Sequence, residues 1–405
     1  MSDEDVAGRQ RFASLDGQTM AHGSLVEPER LELAAATAGS TPLIARGSGV
    51  CFVGASFGDG VRSIGARRLD RVLDFAPERG LITVEAGITL AQLYQYTVPR
   101  QFYLPALPGH PQISVGGCIG ANVHGKNPAQ HGTFVEHVES LELFHPDHGF
   151  LRLSREQNED LFELTAGGLG LTGIIVSATL RLRPLPSPWI EVRRQPVASL
   201  GATLRAMDAA HGNADFSYSW NDLSVFDHRL GRGYVATGSF VPGTAASLRD
   251  PLRYPHHDPS AAPPGRRIFQ PVLVPWIARL HHRAELLRPR RIVEWYDFVF
   301  PGMGFQNANY YGWYGRSGMI AHMALIPRPA AESYLAALEA VLRQQRVPLL
   351  VASMKLFSGK QRLLRFDGDG VSLHIHIAND EPGRRLAAAL EGLSREAHAP
   401  RAVYV

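Results

Sequence analysis

Two clusters of glycine and other small residues are the most informative feature of the sequence. The first cluster follows a short apolar run, and the second ends in a His-Gly-Lys-Asn tetrad. Small residues let several backbone N–H groups converge on an anion, as in a pyrophosphate cradle, although glycine turns between strands would have the same composition. The clusters comprise Arg46, Gly47, Ser48, Gly49, Val50 and Cys51, then Gly109, and then Ser114, Val115, Gly116, Gly117, Cys118, Ile119, Gly120, Ala121, Asn122, Val123, His124, Gly125, Lys126 and Asn127.

A third glycine run, Gly168–Gly173, has the literal G-x-G-x-x-G spacing of a dinucleotide-binding fingerprint. That fingerprint requires a strand before the glycines and a helix after them. Here the order is reversed, because residues 160–165 are typical of a helix and a strand follows the run. We therefore predict a tight turn at these glycines rather than a Rossmann-type nicotinamide site.

A strand predicted at 371–377 carries two histidines on one face. Apolar residues alternate with Ser372, His374 and His376, so the polar side chains lie opposite the apolar ones. The polar face is either solvated or part of a polar substrate pocket. Two histidines at this spacing can bind a metal, but no third or fourth ligand is evident, and we predict no metal site.

Lys355 and His124 are further candidates for polar chemistry. Lys355 lies within the apolar run 349–357, where a lysine is usually an edge or surface residue. In a cleft it would supply a point charge for a phosphate or a sugar oxygen. His124 is either a hydrogen-bonded loop residue or a contact to cofactor or substrate. The aromatic-rich segment 310–314 is typical of a core, although aromatic faces also suit sugar rings.

Periodic segments elsewhere predict the elements that must position these residues. Apolar residues from Ile174 to Leu182 recur with a period of two, which indicates a half-buried strand. Thr89 can serve as the N-cap of a helix that follows it. Strands are predicted at 43–45, 81–86, 171–184, 319–326, 349–357 and 371–377, and helices at 27–38, 89–96, 160–165, 331–343 and 384–393.

The composition of the chain and its pattern of predicted elements change after the proline-rich segment 184–188. We predict a first domain over residues 1–186, a second over 187–395, and a final segment, 396–405, that returns to the first domain. The order of strands and helices in the second domain predicts an α+β fold with an antiparallel sheet.

The stretch 251–291 stands apart because it contains eight arginines against one aspartate and one glutamate. It shows little regular pattern, and stretches of this length are often functional or disordered. It is either a surface loop or a lid over a phosphate-bearing or membrane-held substrate, because arginine binds phosphate bidentately.

Composition excludes several classes of protein. A formal net charge of +3 over 405 residues gives no case for nucleic-acid binding, and two cysteines exclude a disulfide scaffold. The N-terminus lacks the apolar region of a secretory signal, and no run of about 18 apolar residues is present. We predict a cytoplasmic enzyme with at most peripheral membrane contact.

The order of the motifs resembles that of the FAD-linked oxidases of the vanillyl-alcohol-oxidase type. The shared features are a strand before RGSG, then VEAG, LPG, VGG, HGKN and GGLGLTGII. Within that superfamily the sequence is most similar to the flavin subunits of polyprenyl-phospho-pentose epimerases, through HGKN, LTGII and Met-Lys-Leu-Phe at 354–357. The resemblance implies an α+β fold, with a two-part PCMH-type FAD-binding domain followed by an α+β substrate domain.

The resemblance also implies residue roles. Residues 46–51 would cradle the FAD pyrophosphate, and Lys355 would contact the substrate. His374 stands where the family has a pocket cysteine, and the family's active-site lysine falls beyond Val405. The other implied FAD contacts are Gly109, Ser114, Val115, Gly116, Gly117, Gly120, Ala121, His124, Gly125, Lys126, Gly132, Thr133, Gly173, Ile175 and Tyr404.

The implied activity is oxidation of a secondary hydroxyl of a sugar or sugar-phosphate, with hydride transfer to FAD. His124, Lys355 and His374 are the candidate bases. Non-covalent FAD is expected, because the usual attachment histidine of the first loop is absent. An NADH-dependent reductase would be the partner that completes an epimerisation. The alternatives are an aldonolactone or alditol oxidase that uses O2, and a non-catalytic flavin-binding protein.

Overall fold

The computed structural model describes residues 9–15, 17–242, 267–300, 308–363, 365–399 and 401–404. They form two compact units. The first holds the described residues of 1–125 and 133–185, and the second those of 126–132, 186–242 and 267–404. The division after Leu185 differs by one residue from the predicted boundary. The short excursion 126–132 into the second unit was not predicted.

The first unit consists mainly of two small sheets. A four-stranded sheet has the order β1-β2-β4-β3, and a five-stranded antiparallel sheet has the order β5-β6-β10-β8-β9. The strands are β1 (Arg9–Ala13), β2 (Met20–Val26), β3 (Leu43–Arg46), β4 (Arg62–Gly65), β5 (Val72–Ala76), β6 (Leu81–Glu85), β7 (Phe102–Tyr103), β8 (Val138–His145), β9 (Gly149–Ser154), β10 (Ile174–Arg181) and β11 (Arg183–Pro184). The helices are α1 (Leu33–Ala36), α2 (Leu90–Thr97), α3 (Val115–Gly120) and α5 (Glu159–Thr165).

Local sequence signals explain several of these elements. Thr89 caps α2 by accepting a hydrogen bond from the Gln92 backbone, and the Gln92 side chain returns to the Thr89 backbone. The alternate apolar positions of β10, from Ile174 to Leu180, are buried, which confirms the predicted period of two. The predicted helix 27–38 is shorter than expected and consists of a 3-10 turn followed by α1.

The Gly168–Gly173 run joins α5 to β10, so the predicted order of helix, turn and strand is confirmed. Leu169 adopts a positive φ of 52°, and the following Gly170 has a positive φ of 84°. Such a conformation is tolerated in single residues of a tight turn.

The second unit is an eight-stranded sheet with helices packed on both faces. Its strand order is β15-β12-β14-β13-β17-β18-β16-β19, and the pairs between neighbouring strands are antiparallel. The strands are β12 (Trp189–Val197), β13 (Phe216–Leu223), β14 (Gly233–Phe240), β15 (Arg290–Glu294), β16 (Met319–Pro327), β17 (Leu349–Phe357), β18 (Gly370–Ala378) and β19 (Arg401–Tyr404). The helices are α4 (Pro128–His131), α6 (Leu200–Ala210), α7 (Val274–Leu286), α8 (Trp295–Val299), α9 (Ala308–Gly312), α10 (Ala331–Gln345) and α11 (Glu381–Glu396).

Strand β18 is buried on both faces. Val371, Leu373, Ile375 and Ile377 join the apolar core formed with α6, α10 and α11. On the other face Ser372 and His376 are each only 2% exposed. The interpretation of that face as solvated is therefore wrong, and the polar alternation of the strand points into the protein.

Two predictions for the later part of the chain differ from the structure. Residues 396–405 were expected to return to the first unit, but Arg401–Tyr404 pairs with β16 in the second unit because that strand offers an unpaired edge. The stretch 251–291 was expected to be irregular. Its residues 251–266 lie outside the described residues, whereas α7 and the start of β15 give the remainder regular structure. No helix in the described part of the chain is long and apolar enough to cross a bilayer.

Candidate functional site

The loop that leaves β3 offers backbone donors. Residues 47–51 are half-buried, and Gly49 has a left-handed φ of 78°. Four backbone N–H groups of this loop donate no hydrogen bond to any of the described residues; they belong to Gly47, Ser48, Gly49 and Val50. A run of such donors around a glycine turn is the arrangement that binds phosphate groups.

Arg46 places a fixed positive charge at the base of this loop. Its guanidinium donates a 2.9 Å hydrogen bond to Ser56 Oγ and lies 4.9 Å from the Phe12 ring centre. Burial lowers the pKa of Arg46 below its usual value, but an arginine remains charged at neutral pH. The charge therefore favours an anion near the loop.

Three glycine segments that are distant in sequence meet in the first unit. A Cβ added to Gly47 would lie 2.3 Å from Ser114 Oγ, and one added to Gly170 would lie 3.1 Å from the Cβ of Ala45. The Leu169 N–H donates to Gly120 O at 2.9 Å. Because these glycines have no side chains, the three segments can approach one another closely.

The start of α3 contributes shape rather than hydrogen-bond donors. Val115 N–H donates to Ile88 O at 2.9 Å, and Gly116 N–H donates to Ala86 O at 2.7 Å. Gly117 N–H donates to the capping Ser114 Oγ at 3.2 Å. These N–H groups are therefore occupied within the chain. Gly109 is half-buried, and Ala121 is exposed at the end of the helix.

The remaining predicted FAD contacts of the first unit fall into two places. The backbone of His124 bridges to that of Thr133, and the His124 ring lies 3.1 Å from Gly125 O. Gly173 has a φ of 137°, and Ile175 is buried in β10. The structure thus brings His124 and Thr133 together.

The thiol of Cys118 is unsuited to covalent flavin attachment. The residue is fully buried inside α3, and burial raises the pKa of the thiol well above its ordinary value. A thiol that stays protonated is a poor nucleophile.

In the second unit, the excursion 126–132 is fixed to the large sheet. Asn127 donates from its side-chain amide to Asp215 O at 2.9 Å, and Ser358 donates to Ala129 O at 2.5 Å. Gly132 ends α4 with a φ of 69°. Packing of α4 on β17 places Lys126 beside the polar face of the sheet.

Lys126 and Lys355 form a pair of partly buried amines. The Lys126 ammonium lies 5.4 Å from the ring centres of Tyr218 and Phe298, and burial lowers its pKa to about 8. Burial and, secondarily, the Lys126 charge lower the pKa of Lys355 to about 7. Near neutral pH, Lys355 is therefore a mixture of the amine and the ammonium.

A chain of hydrogen bonds starts at His374 on the same face. His374 Nε2 lies 3.0 Å from His376 Nε2, and His376 Nδ1 lies 2.5 Å from Tyr310 Oη. Tyr310 Oη lies 3.1 Å from Tyr314 Oη. Burial and the neighbouring Lys355 charge lower the pKa of His374 to about 4, so the ring is neutral.

The Tyr314 end of this series of hydrogen bonds lies at a cavity of about 330 Å³ within the second unit. His376 and Tyr314 line it, together with Arg267 and Asp380, which form a 2.6 Å ion pair. In the described ranges, no group of three or more His, Cys, Asp and Glu side chains is arranged to hold a metal ion. The two β18 histidines instead bind each other.

Several features of this site were not predicted. Tyr310 and His376 are 66 residues apart, and no local sequence signal indicates their hydrogen bond. The hydrogen bond from Asn127 to Asp215 O was not predicted either. Tyr404 was predicted to lie beside the flavin; its backbone pairs with Ala321 in the second unit.

Comparisons with known proteins agree with the geometry of the first unit. Residues 30–154 match the model of the FAD binding domain family. The chain is 29% identical to decaprenylphosphoryl-beta-D-ribose oxidase of Mycolicibacterium smegmatis over 82% of this chain and 73% of that protein. It is 32% identical to L-gulonolactone oxidase of Mus musculus over 29% of this chain and 26% of that protein. It is 34% identical to L-galactono-1,4-lactone dehydrogenase 2 of Oryza sativa over 28% of this chain and 19% of that protein.

The family match identifies the cofactor as FAD. The relatives with assigned activities are oxidases and dehydrogenases. The chain therefore carries an FAD-binding domain of the PCMH type and is an FAD-dependent oxidoreductase.

Proposed function

We propose that the protein oxidises a secondary hydroxyl of a sugar-phosphate, with a polyprenyl-phospho-pentose as its substrate. Similarity to decaprenylphosphoryl-beta-D-ribose oxidase continues through most of the second unit, whereas similarity to the lactone enzymes covers less than a third of the chain. The observation that carries the proposal is the position of two lysines on one face of the sheet, with Lys355 opposite Ser372 and the Lys126 ammonium against the Tyr218 ring. They combine a charge for an anionic substrate with an amine able to accept a proton.

The two lysines have separate roles in this proposal. Bound FAD supplies the hydride acceptor. The neutral Nζ of Lys355 accepts the proton of the substrate hydroxyl, since a base works best with a pKa near the working pH. Lys126, with the higher pKa of about 8, keeps its charge for a phosphate or a sugar oxygen.

The hydrogen-bond chain gives that proton a route away from Lys355. Lys355 pairs with Ser372 across β17 and β18, so its side chain is a diagonal neighbour of His374 on the same face of the sheet. A proton that enters at His374 displaces one to His376, then one to Tyr310 and one to Tyr314. Each group takes one proton and gives one, so the net result is a proton at the cavity. His124 stays the third candidate base.

We propose that FAD is held non-covalently by residues 46–51, with its pyrophosphate on the backbone N–H groups of residues 47–50. The glycines of α3 and of the 168–173 turn would provide close backbone approach. A cytoplasmic location and an NADH-dependent reductase partner stay predictions of the sequence.

The test is anaerobic bleaching of the flavin band near about 450 nm, which reports hydride transfer to the cofactor. We expect bleaching with a polyprenyl-phospho-pentose, and none with a free pentose or an aldonolactone. Bleaching by the lactone, with hydrogen peroxide formed in air, would instead favour the aldonolactone-type oxidase. No bleaching by any member of the panel would refute the proposed activity.

A further inference from the structure

Helix α7 presents large apolar side chains to solvent. Leu273, Trp276, Leu280 and Leu287 are 44%, 67%, 71% and 82% exposed. A tryptophan is rarely so exposed in a folded domain. The opposite side of the helix is held against the sheet by Val274 and Ala278, which are 3% and 0% exposed. The exposed side chains are therefore a surface feature of a well-anchored helix.

These side chains form one continuous stripe. At about 100° per residue, Leu273, Trp276, Leu280 and Leu287 fall within an arc of about 60°, and Ala284 widens the arc to about 80°. Val272 and Ile268, which precede the helix, are also exposed and extend the apolar surface beyond its N-terminal end. Contiguous patches of this kind mark a site of interaction.

Arginines border the stripe on both sides. On the helical wheel, Arg279 and Arg283 lie along one edge, and Arg288 lies beyond the other. Within the described ranges, none of these three forms an ion pair with an acidic side chain. The glutamate of the helix, Glu285, points inward and pairs with Arg194 at 2.6 Å. The outward face of α7 is thus apolar at its centre and positive at its margins.

This combination favours a lipid surface over a protein partner. Amphipathic helices with an apolar face, a tryptophan and flanking arginines lie in the headgroup region of bilayers. Arginine near an anionic leaflet adds electrostatic attraction. A protein partner would need acidic groups on both sides of an apolar strip, whereas an anionic bilayer offers negative charge everywhere around it.

We propose that the outward face of α7 docks the enzyme on the surface of an anionic lipid bilayer, with Trp276, Leu280 and Leu287 inserted among the headgroups. The inference does not depend on the identity of the oxidised sugar. A polyprenyl-linked substrate would be met at the same surface, which agrees with the proposed function but is not required for it.

The first test is flotation of the full-length, FAD-loaded protein with vesicles of phosphatidylcholine alone or with added phosphatidylglycerol. We expect binding that increases with phosphatidylglycerol and falls at high salt. Leu280→Glu should weaken binding by about tenfold or more, because the variant loses a leucine that inserts into the bilayer and gains a negative charge that anionic lipids repel. Leu31→Glu, on an 89% exposed leucine of the first unit, is the matched control and should bind normally.

The second test separates the charge from the apolar stripe. Replacing Arg279 and Arg283 together by glutamine should weaken binding to the anionic vesicles by about fivefold for each charge removed. Replacing the exposed Arg79 and Arg152 of the first unit together by glutamine, which removes the same number of charges, should have no effect. Equal losses from both sets would mean that overall charge, rather than this helix, binds lipid, and would overturn the proposal.

The third test asks whether Trp276 itself enters the bilayer. Brominated lipids should quench part of the tryptophan fluorescence of the wild-type protein and much less in Trp276→Phe. No lipid binding, or quenching that is unchanged in that variant, would refute the docking. Sedimentation showing a dimer that Leu280→Glu dissociates would assign the face to a second copy of the chain instead. None of these readouts uses sugar oxidation, so the docking and the proposed activity can fail separately.

Discussion

Burial of Lys355 within a central strand changes what a lysine can do. An exposed lysine holds its proton far above neutral pH, whereas loss of hydration and the nearby Lys126 charge bring the pKa of Lys355 to about 7. The same burial keeps His374 neutral. At the scale of single residues, therefore, desolvation rather than an acidic partner sets the chemistry of this face.

The pH dependence of kcat/KM should report the Lys355 amine. The proton-accepting form is neutral, so protonation below a pKa of about 7 removes the base. We expect kcat/KM to fall about tenfold per pH unit below that value and to level off above it. Lys355→Met should lose about 100-fold in kcat and this pH dependence, while Lys360→Met, on an exposed lysine, should keep both. The pH range from about 5 to about 9 extends roughly two units on either side of the Lys355 pKa. A wild-type profile that is flat over this range would argue against Lys355 as the base.

Tyr310→Phe should interrupt the hydrogen-bond chain while keeping the ring. If the chain carries protons, the proton between His374 and His376 should exchange with water more slowly in the variant, as seen by NMR of histidine labelled with 15N. A purely structural role predicts the opposite, because loosened packing speeds exchange. Tyr334→Phe removes a comparable buried hydroxyl, bonded to Ser394 Oγ at 3.1 Å, and should leave this exchange unchanged.

At the scale of elements, the loop after β3 and the N-terminus of α3 act together. Gly47 lies against the Ser114 side chain, which also caps Gly117 N–H. The cap holds α3, and the absent side chain lets the loop approach it. The shape of the FAD surface thus depends on a contact between two segments that are 67 residues apart.

Gly47→Ala should therefore weaken FAD binding. The new Cβ would displace Ser114 Oγ, and the loss of its capping bond is expected to raise the Kd for FAD by about tenfold. Fluorescence titration of the apoprotein measures this. Gly392→Ala, at a helical glycine with open space around its Cβ position, is the control and should bind FAD normally. Unchanged FAD affinity in Gly47→Ala would remove the loop from the binding surface.

Elements with strong local signals could be predicted from the sequence. Strand β17 has the predicted bounds, and α2 begins after the predicted cap. Both predictions succeed because the periodicity of apolar residues and helix capping depend on residues that are close together in the sequence. The pairing of β19 with β16 and the bond from Tyr310 to His376 could not be predicted in this way. Each depends on which segments, distant in sequence, come into contact, and the local pattern of residues in one sequence does not indicate such contacts.

At the scale of the whole molecule, FAD should stabilise the fold by mass action. A ligand present at 100 times its Kd adds about 2.7 kcal/mol to the free energy of unfolding. We expect FAD to raise the Tm of the apoprotein by roughly 3 °C in circular dichroism melts. FMN, which lacks the adenylate half, should give a smaller increase at equal concentration. Equal Tm values with and without FAD would contradict the assignment of the cofactor.

The position of β17 has a consequence for engineering. Lys355 lies on a strand that is hydrogen-bonded on both sides, to β13 and to β18, so its backbone has little freedom to move. Side chains on surface helices and loops are free of that restraint. Protein engineers could therefore vary the peripheral segments to change which sugar is accepted, while Lys355, the proposed proton acceptor, keeps its place on a rigid strand.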